Sequence, residues 1–257
     1  MKRLLLLVLA TSTALAQSTP PTCPNLKPTT HPTAQQIRQT AEANAADPSV
    51  LLSAEPVENF GVARYRLQDY ADCTGASGCY WSDLDAQATR AEAALKSALA
   101  THKPSEKLAL ILDIDETSLS SYCEMRREAY GYIPSMFETW IVSPEASIPI
   151  PGTLRLFRAA RAAGVSVFFI TGRPNEQRAA TAANLKAAGF EGWTGLRLRE
   201  GPEKTMPTTA YKSSERQKIV DAGYHLLMNV GDQWSDLDGS PRADISVKLP
   251  NPFYYLP

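Results

Sequence analysis

The chain predicts an α/β fold, a parallel sheet with helices on both faces. Three observations point there. First, the run Leu108–Leu112 is five apolar residues long, the mark of a strand buried on both faces. Second, similar apolar runs at 165–170, 193–198, 226–230 and 244–248 alternate with helix-periodic stretches. Such alternation implies right-handed βαβ units. Third, the runs end in residues that carry chemistry: Asp113 and Asp115, Thr171-Gly172, and Gly231-Asp232 with Asp236. In open α/β sheets, ligands bind outside the carboxyl ends of the strands.

In chain order, residues 1–16 read as an export signal. Lys2 and Arg3 form a basic start, Leu4 to Ala10 a short apolar core, and Ala14-Leu15-Ala16 a cleavage pattern that leaves Gln17 first. No later run reaches the 18 apolar residues of a membrane span. The expected location is periplasmic or secreted. Without the signal, 24 basic residues face 27 acidic ones, for a net charge of about −3. A nucleic-acid binder should carry a basic footprint, so that class is disfavoured. Residues 17–32 are a proline-rich, extended lead-in, and residues 33–257 suit one domain.

Residues 33–103 read as a helical flank. One helix is expected over 33–46. A second runs from about Ser82 to His102, capped by Ser82 or Asp83, with an apolar stripe of Leu84, Ala88, Ala91, Leu95 and Leu99. Cys73 and Cys79 enclose a flexible Thr-Gly-Ala-Ser-Gly loop and could bond, which would leave Cys23 for Cys123. Four cysteines permit three pairings, and the sequence does not choose among them.

After the first strand, residues 118–150 form an insertion rich in aromatic and basic residues, including Tyr130, Tyr132, Phe137 and Trp140, with Arg126 and Arg127. Pro151 opens a helix that Gly164 closes. A helix is expected over 175–188 and a loop over 199–211. Lys212 is placed just before a helix whose start carries the capping pair Ser214 and Gln217.

Strand alternation sends the carboxylates of Asp113 and Asp115 to one side. Acids crowded at a strand end need a cation or a shared proton. Phosphoryl transfer meets that demand. A phosphomonoester brings about −1.5 to −2 charge, and hard oxygen ligands with few histidines select Mg²⁺. Lys212 would add a fixed positive charge. A calcium loop at 234–245 fails, because Gly239 at loop position 6 puts Trp234 and Ile245 at ligand positions.

Asp113-Ile114-Asp115-Glu116-Thr117, Phe169-Ile170-Thr171-Gly172-Arg173, Tyr211-Lys212-Ser213 and Gly231-Asp232-Gln233-Trp234-Ser235-Asp236-Leu237 resemble the four motifs of the haloacid-dehalogenase (HAD) superfamily. More narrowly, they resemble its subfamily IIIB acid phosphatases, both bacterial class C and plant types related to vegetative storage proteins. Gly189–Trp193 and Lys248–Pro252 resemble the plant type.

The resemblance implies a HAD-like Rossmannoid sheet with a small inserted cap and an N-terminal helical flank. It implies Asp113 as nucleophile, and Asp115 as acid toward the leaving oxygen and then base toward water. Thr171 and Lys212 would bind phosphate. Mg²⁺ would be held by Asp113, the Asp115 carbonyl and Asp232, with Asp236 orienting its waters. Glu116 stands where many HAD enzymes have glycine and is normal for this subfamily. Cys23 follows Pro20-Pro21-Thr22, which is not a lipobox and argues against a lipid anchor.

The expected activity is hydrolysis of small phosphomonoesters through an aspartyl-phosphate, with nucleoside 5′-monophosphates as one candidate class. Tyr130, Tyr132, Phe137 and Trp140 are the candidates for holding the leaving group. Arg126 and Arg127 are candidates for a second phosphate. Alternatives are a storage or binding protein on the same scaffold, or a HAD phosphotransferase.

Overall fold

The computed structural model describes residues 19–26, 30–47, 58–103 and 105–256. The expected export signal lies outside the described residues, as does part of the lead-in. Among the described residues no helix is long and apolar enough to cross a membrane.

Five strands form the sheet: β1 (Leu108–Leu112), β2 (Ser166–Pro174), β3 (Gly195–Arg199), β4 (His225–Gly231) and β5 (Ile245–Lys248). Their order is β3-β2-β1-β4-β5, and every pairing is parallel. The order reverses at β1, where a ligand crevice belongs.

Period-two alternation divides the core. Leu108, Leu110 and Leu112 enter the larger apolar cluster with Val167 and Phe169 of β2. Ala109 and Ile111 enter the smaller one with Phe168 and Ile170. The larger cluster is covered by α3 (Tyr80–Leu99), α6 (Pro151–Ala162) and α7 (Arg178–Ala187). The smaller is covered by α8 (Thr208–Asp221), through Tyr211 and Ile219. Leu110 is fully buried, so Leu110→Ala should cost about 2–5 kcal/mol through the cavity it leaves. Gly152 lets α6 approach α3, since a Cβ there would stand 2.5 Å from the Ala88 Cβ.

Before α3 lie α1 (Ala34–Ala45), capped by Thr33, and α2 (Phe60–Asp72). α2 has no counterpart among the predicted helices, because its apolar residues form only a weak stripe. α3 starts earlier than the Ser82 or Asp83 cap predicts. Tyr80 and Trp81 are 0 % and 1 % exposed, so burial of these two rings carries the helix back to a start at Cys79. Ser82 and Asp83 are therefore not caps. Asp83 sits in the first turn and accepts from the Tyr70 hydroxyl at 2.9 Å.

Three further differences concern the second half of the sheet. The helix expected over 175–188 opens with a 3-10 turn at Asn175–Gln177. The helix expected after Lys212 starts at Thr208, which places Lys212 inside α8. The strand expected from Trp193 starts at Gly195.

Both disulfides considered from the sequence are present. Cys23–Cys123 and Cys73–Cys79 have Cα separations of 5.3 and 5.5 Å.

The insertion carries α4 (Tyr122–Arg127) and α5 (Pro134–Ile141). Its ends pair with each other: Ser120 N donates to the Ile148 carbonyl at 2.9 Å, and Ile150 N to that of Ser118 at 3.0 Å. The segment is thus a closed excursion from the end of β1. It rests on α7, where the Asn184 amide donates to the Ile141 carbonyl at 3.3 Å.

Candidate active site

β1 delivers Asp113. Its amide still pairs with β4, donating to the Val230 carbonyl at 3.0 Å. Asp113 keeps the parity of Ala109 and Ile111, toward α8, where Lys212 meets it.

The strand stops there. The Ile114 carbonyl accepts from the amides of Thr117, Ser118 and Leu119, and Glu116 adopts a φ of +54°. That left-handed backbone suits glycine, and a side chain there is held at a cost. The turn ends the strand before Asp115, so a distant side chain and not the sheet holds its carboxylate. Arg173 takes it, with Nη2 to Oδ1 at 2.6 Å and Nε to Oδ2 at 3.0 Å.

Lys212 is the hub. Its Nζ contacts Asp113 Oδ1, Asp236 Oδ1 at 2.8 Å and the Ile170 carbonyl at 2.5 Å. It is 3 % exposed, a buried ammonium and not a solvated surface one. Burial pulls its ammonium down, but Asp113 and Asp236 outweigh burial and the net shift is upward.

Asp232 follows β4, completely enclosed. Its Oδ1 accepts from the Thr117 hydroxyl at 3.1 Å. Its Oδ2 accepts from the amides of Gln233 and Asn251, both at 2.7 Å. Asp236 Oδ2 accepts from Gln233 N at 2.9 Å. Gly231 makes room for this loop, because a Cβ there would sit 2.4 Å from that of Asp236. Arg216 and Asn229 hold the Asp236 carbonyl at 2.7 and 2.9 Å.

Thr171 is fully buried near the end of β2, and its Oγ1 accepts from Arg173 N at 3.2 Å.

The charge count decides what the crevice needs. Asp113, Asp232 and Asp236 place carboxylate oxygens within 4.8 Å of one another, all buried, against one ammonium. Burial raises Asp113 strongly, opposed by Lys212 and reinforced by the other aspartates. Burial and Asp236 push Asp232 up to about 6. An excess of buried negative charge held by hard oxygens fits a divalent cation of the Mg²⁺ class.

Several residues that shape the site received no role from the sequence. Arg173, Gln233, Asn251 and Tyr254 are among them. Arg173 and Asn251 lie inside motifs, but only the folded register brings them to Asp115 and Asp232. The C-terminal segment closes over the turn: Tyr254 donates to Glu116 Oε2 at 2.8 Å, while Ser121 N and Oγ donate to Oε1 at 2.6 and 2.7 Å.

The insertion's aromatics split. Tyr130 is buried, stacks on Phe253 at 6.0 Å and donates to Asp72 at 3.5 Å, so it is a packing residue. Trp140 is buried with Ile141 and Ala146, against Phe137, which is partly buried. Tyr132 is 60 % exposed and touches Phe137 at 5.4 Å. The two arginines expected as phosphate ligands are already paired. Arg126 meets Asp72 at 3.2 Å, and Arg127 meets Glu124 and, at 3.1 Å, Glu145.

Sheet order, the acidic crevice at its reversal and the short insertion after β1 define a protein of the HAD type. Residues 30–257 match the family described as HAD superfamily, subfamily IIIB (Acid phosphatase), and the chain belongs to that family. It is 38 % identical over 149 residues to "Acid phosphatase 1" of Solanum lycopersicum, covering 57 % of this chain and 58 % of that protein. It is 35 % identical over 150 residues to "Vegetative storage protein 1" of Arabidopsis thaliana, covering 57 % and 55 %. The chain thus spans less than three-fifths of the curated relatives it matches. The class C acid phosphatase from Bacillus anthracis, solved with tungstate bound, superposes with a TM-score of 0.60. At 21 % identity over 75 % of this chain and 85 % of that one, it shares the fold.

Proposed function

We propose that this chain is an exported, Mg²⁺-dependent acid phosphatase acting on small phosphomonoesters. The observation that carries the reading is the gathering of Asp113, Asp232 and Asp236 around Lys212 at the end of the central strand. Two disulfides and glycoprotein relatives such as "Stem 28 kDa glycoprotein" of Glycine max support an oxidising, secreted setting.

In the proposed reaction Asp113 attacks phosphorus, and the bond to the leaving oxygen breaks as that oxygen takes a proton from Asp115. The product is an aspartyl-phosphate on Asp113. Asp115 then accepts a proton from water as the water attacks phosphorus, which frees phosphate and Asp113. Lys212 and the Thr171 hydroxyl hold the transferring oxygens. Mg²⁺, when bound by Asp113, the Asp115 carbonyl and Asp232, would offset substrate charge, with Asp236 steadying its water shell. Enclosure strengthens each of these contacts.

The storage-protein relatives favour a second reading, a scaffold without turnover. The presence of both Asp113 and Asp115 weighs against it.

The test is hydrolysis of a chromogenic phosphomonoester by the mature chain. Turnover should vanish with EDTA, return with Mg²⁺, and be absent in Asp113→Asn. Near-native turnover in that variant would end the covalent reading. No turnover under any metal condition would favour the storage role.

A further inference from the structure

The opposite edge of the sheet holds a second cluster of metal-ligating side chains. Parallel register builds it. Leu108 pairs with His225 and Met228 with Ile245, so the starts of β1, β4 and β5 lie side by side. Glu106 precedes β1, His225 opens β4, Asp244 precedes β5, and His102 follows α3. The backbone fixes the frame: His225 N donates to the Lys107 carbonyl at 2.8 Å, and Asp244 N to that of Leu226 at 3.0 Å. Two of the chain's three histidines meet here, with ring centroids 5.1 Å apart.

We infer that His102, His225 and Asp244 form a site for a borderline divalent transition metal, Zn²⁺ first, with Glu106 orienting His102. Each residue offers one ligand atom, and these atoms lie within 4.8 Å of one another. A tetrahedral ion with ligands at about 2.0–2.1 Å separates them by about 3.3 Å, so His102 Nε2 would close in on Asp244 Oδ2 from 3.8 Å, while His225 Nε2 and that oxygen, 2.6 Å apart, would part by about 0.7 Å. His225 and Asp244 are each about half exposed, which leaves them free to make these shifts.

The hydrogen bonding argues for an ion. His102 Nδ1 lies 2.6 Å from Glu106 Oε2, where only an N–H fits, since a carboxylate accepts. The other ring nitrogen, Nε2, turns to Asp244 Oδ2 at 3.8 Å, and the same oxygen lies 2.6 Å from His225 Nε2. One carboxylate oxygen thus stands between the two imidazoles. The carboxylate–histidine pair is the arrangement that orients an imidazole for a metal.

Charge agrees, for the carboxylates of Asp244 and Glu106 together balance a divalent ion. Imidazole ligands select Zn²⁺, Co²⁺, Ni²⁺ or Cu²⁺ over Mg²⁺. Three protein ligands leave a fourth position for water. The site is separate from the acidic crevice, since β4 lies between them and spans roughly 20 Å at about 3.3 Å per residue. Ligands from the end of α3, β4 and the approach to β5 would clamp the helical flank to the sheet.

The test uses the full mature chain, stripped with chelator and dialysed against micromolar Zn²⁺ with Mg²⁺ in large excess to fill the acidic crevice. The wild type should retain one zinc more per chain than His102→Ala or His225→Ala. Added zinc should raise its melting temperature, and neither variant should respond. Substituted Co²⁺ should give the strong visible absorption of a four-coordinate site in the wild type alone. Equal zinc in all three proteins, or none in the wild type, would overturn the site. So would a melting shift that survives in both variants. The outcome does not depend on the phosphatase reading.

Discussion

Arg173 grips Asp115 through two parallel N–H···O contacts, 2.6 and 3.0 Å long, and a third guanidinium nitrogen donates to the Thr181 hydroxyl at 3.2 Å. The arginine side chain is 3 % exposed and that of the aspartate 22 %, so a buried fork holds a carboxylate that still reaches the crevice. A planar guanidinium fixes both oxygens, and an ammonium cannot reproduce that geometry.

Arg173 is therefore expected to act as a positioning residue for Asp115. Arg173→Lys should keep the charge, lose the fork and lower kcat by about 10²-fold with KM little changed, the size of loss that misplacement by ~1 Å brings. Steady-state kinetics on a chromogenic phosphomonoester would check it. A rise in KM at constant kcat would assign Arg173 to substrate binding instead.

Lys212 is expected to matter for stability as much as for turnover. Lys212→Met leaves Asp113, Asp232 and Asp236 buried together with no compensating charge. Unfolding in urea should show a loss of about 3–5 kcal/mol at neutral pH in EDTA. Added Mg²⁺ should restore part of it. A variant as stable as wild type in EDTA would mean the carboxylates are already protonated.

Glu116 sets a pH dependence of unusual sign. Burial first, then Asp115 and Asp232, push its carboxyl from 4.5 up to about 8. Between those values the folded chain binds more protons than the unfolded one, so stability falls as pH rises. Its contribution is fully present below about 4.5 and lost by about 8, with a span of a few kcal/mol. Denaturation in EDTA from pH 4.5 to 8.5 should follow this slope, and Glu116→Gln should flatten it. An unchanged slope in the variant would assign the dependence to other groups.

Tyr132 and Trp140 are expected to separate. Trp140→Ala opens a cavity in the insertion and should cost about 3–5 kcal/mol. Tyr132→Ala removes an exposed ring and should leave stability within about 0.5 kcal/mol. If Tyr132 stacks on the leaving group, KM for a nucleoside 5′-monophosphate should rise by about 5-fold or more, as loss of ~1–3 kcal/mol implies. KM for a small aliphatic phosphate should not rise. Equal changes on both substrates would remove Tyr132 from recognition.

The parts legible in the sequence are those whose cause is local. The bounds of β1 at Leu108–Leu112 follow from an apolar run, and the strand ends follow from the chemistry after each run. The crevice residues Asp113, Lys212, Asp232 and Asp236 could be named because a parallel sheet brings strand ends to one edge. What escaped was set by distant partners. The start of α8 was misplaced because Ser214 and Gln217 imitate a helix start within a helix already under way. The partner of Asp115 is an arginine 58 residues away, which no local pattern reveals. Arg126 and Arg127 looked free until Asp72, Glu124 and Glu145 came into reach. The tyrosine lock on Glu116 spans 138 residues, and no local period encodes it.

The Cys23–Cys123 bond closes a covalent ring of about a hundred residues, and β1 with both Asp113 and Asp115 lies inside it. A single peptide break anywhere from 24 to 122 would open the ring without releasing a fragment. After a cut between 113 and 122, the nicked chain would still carry Asp113 on the same molecule as Lys212 and Asp232. Reduction would remove that insurance, so a cut there would matter far more to the thiol form than to the oxidised one.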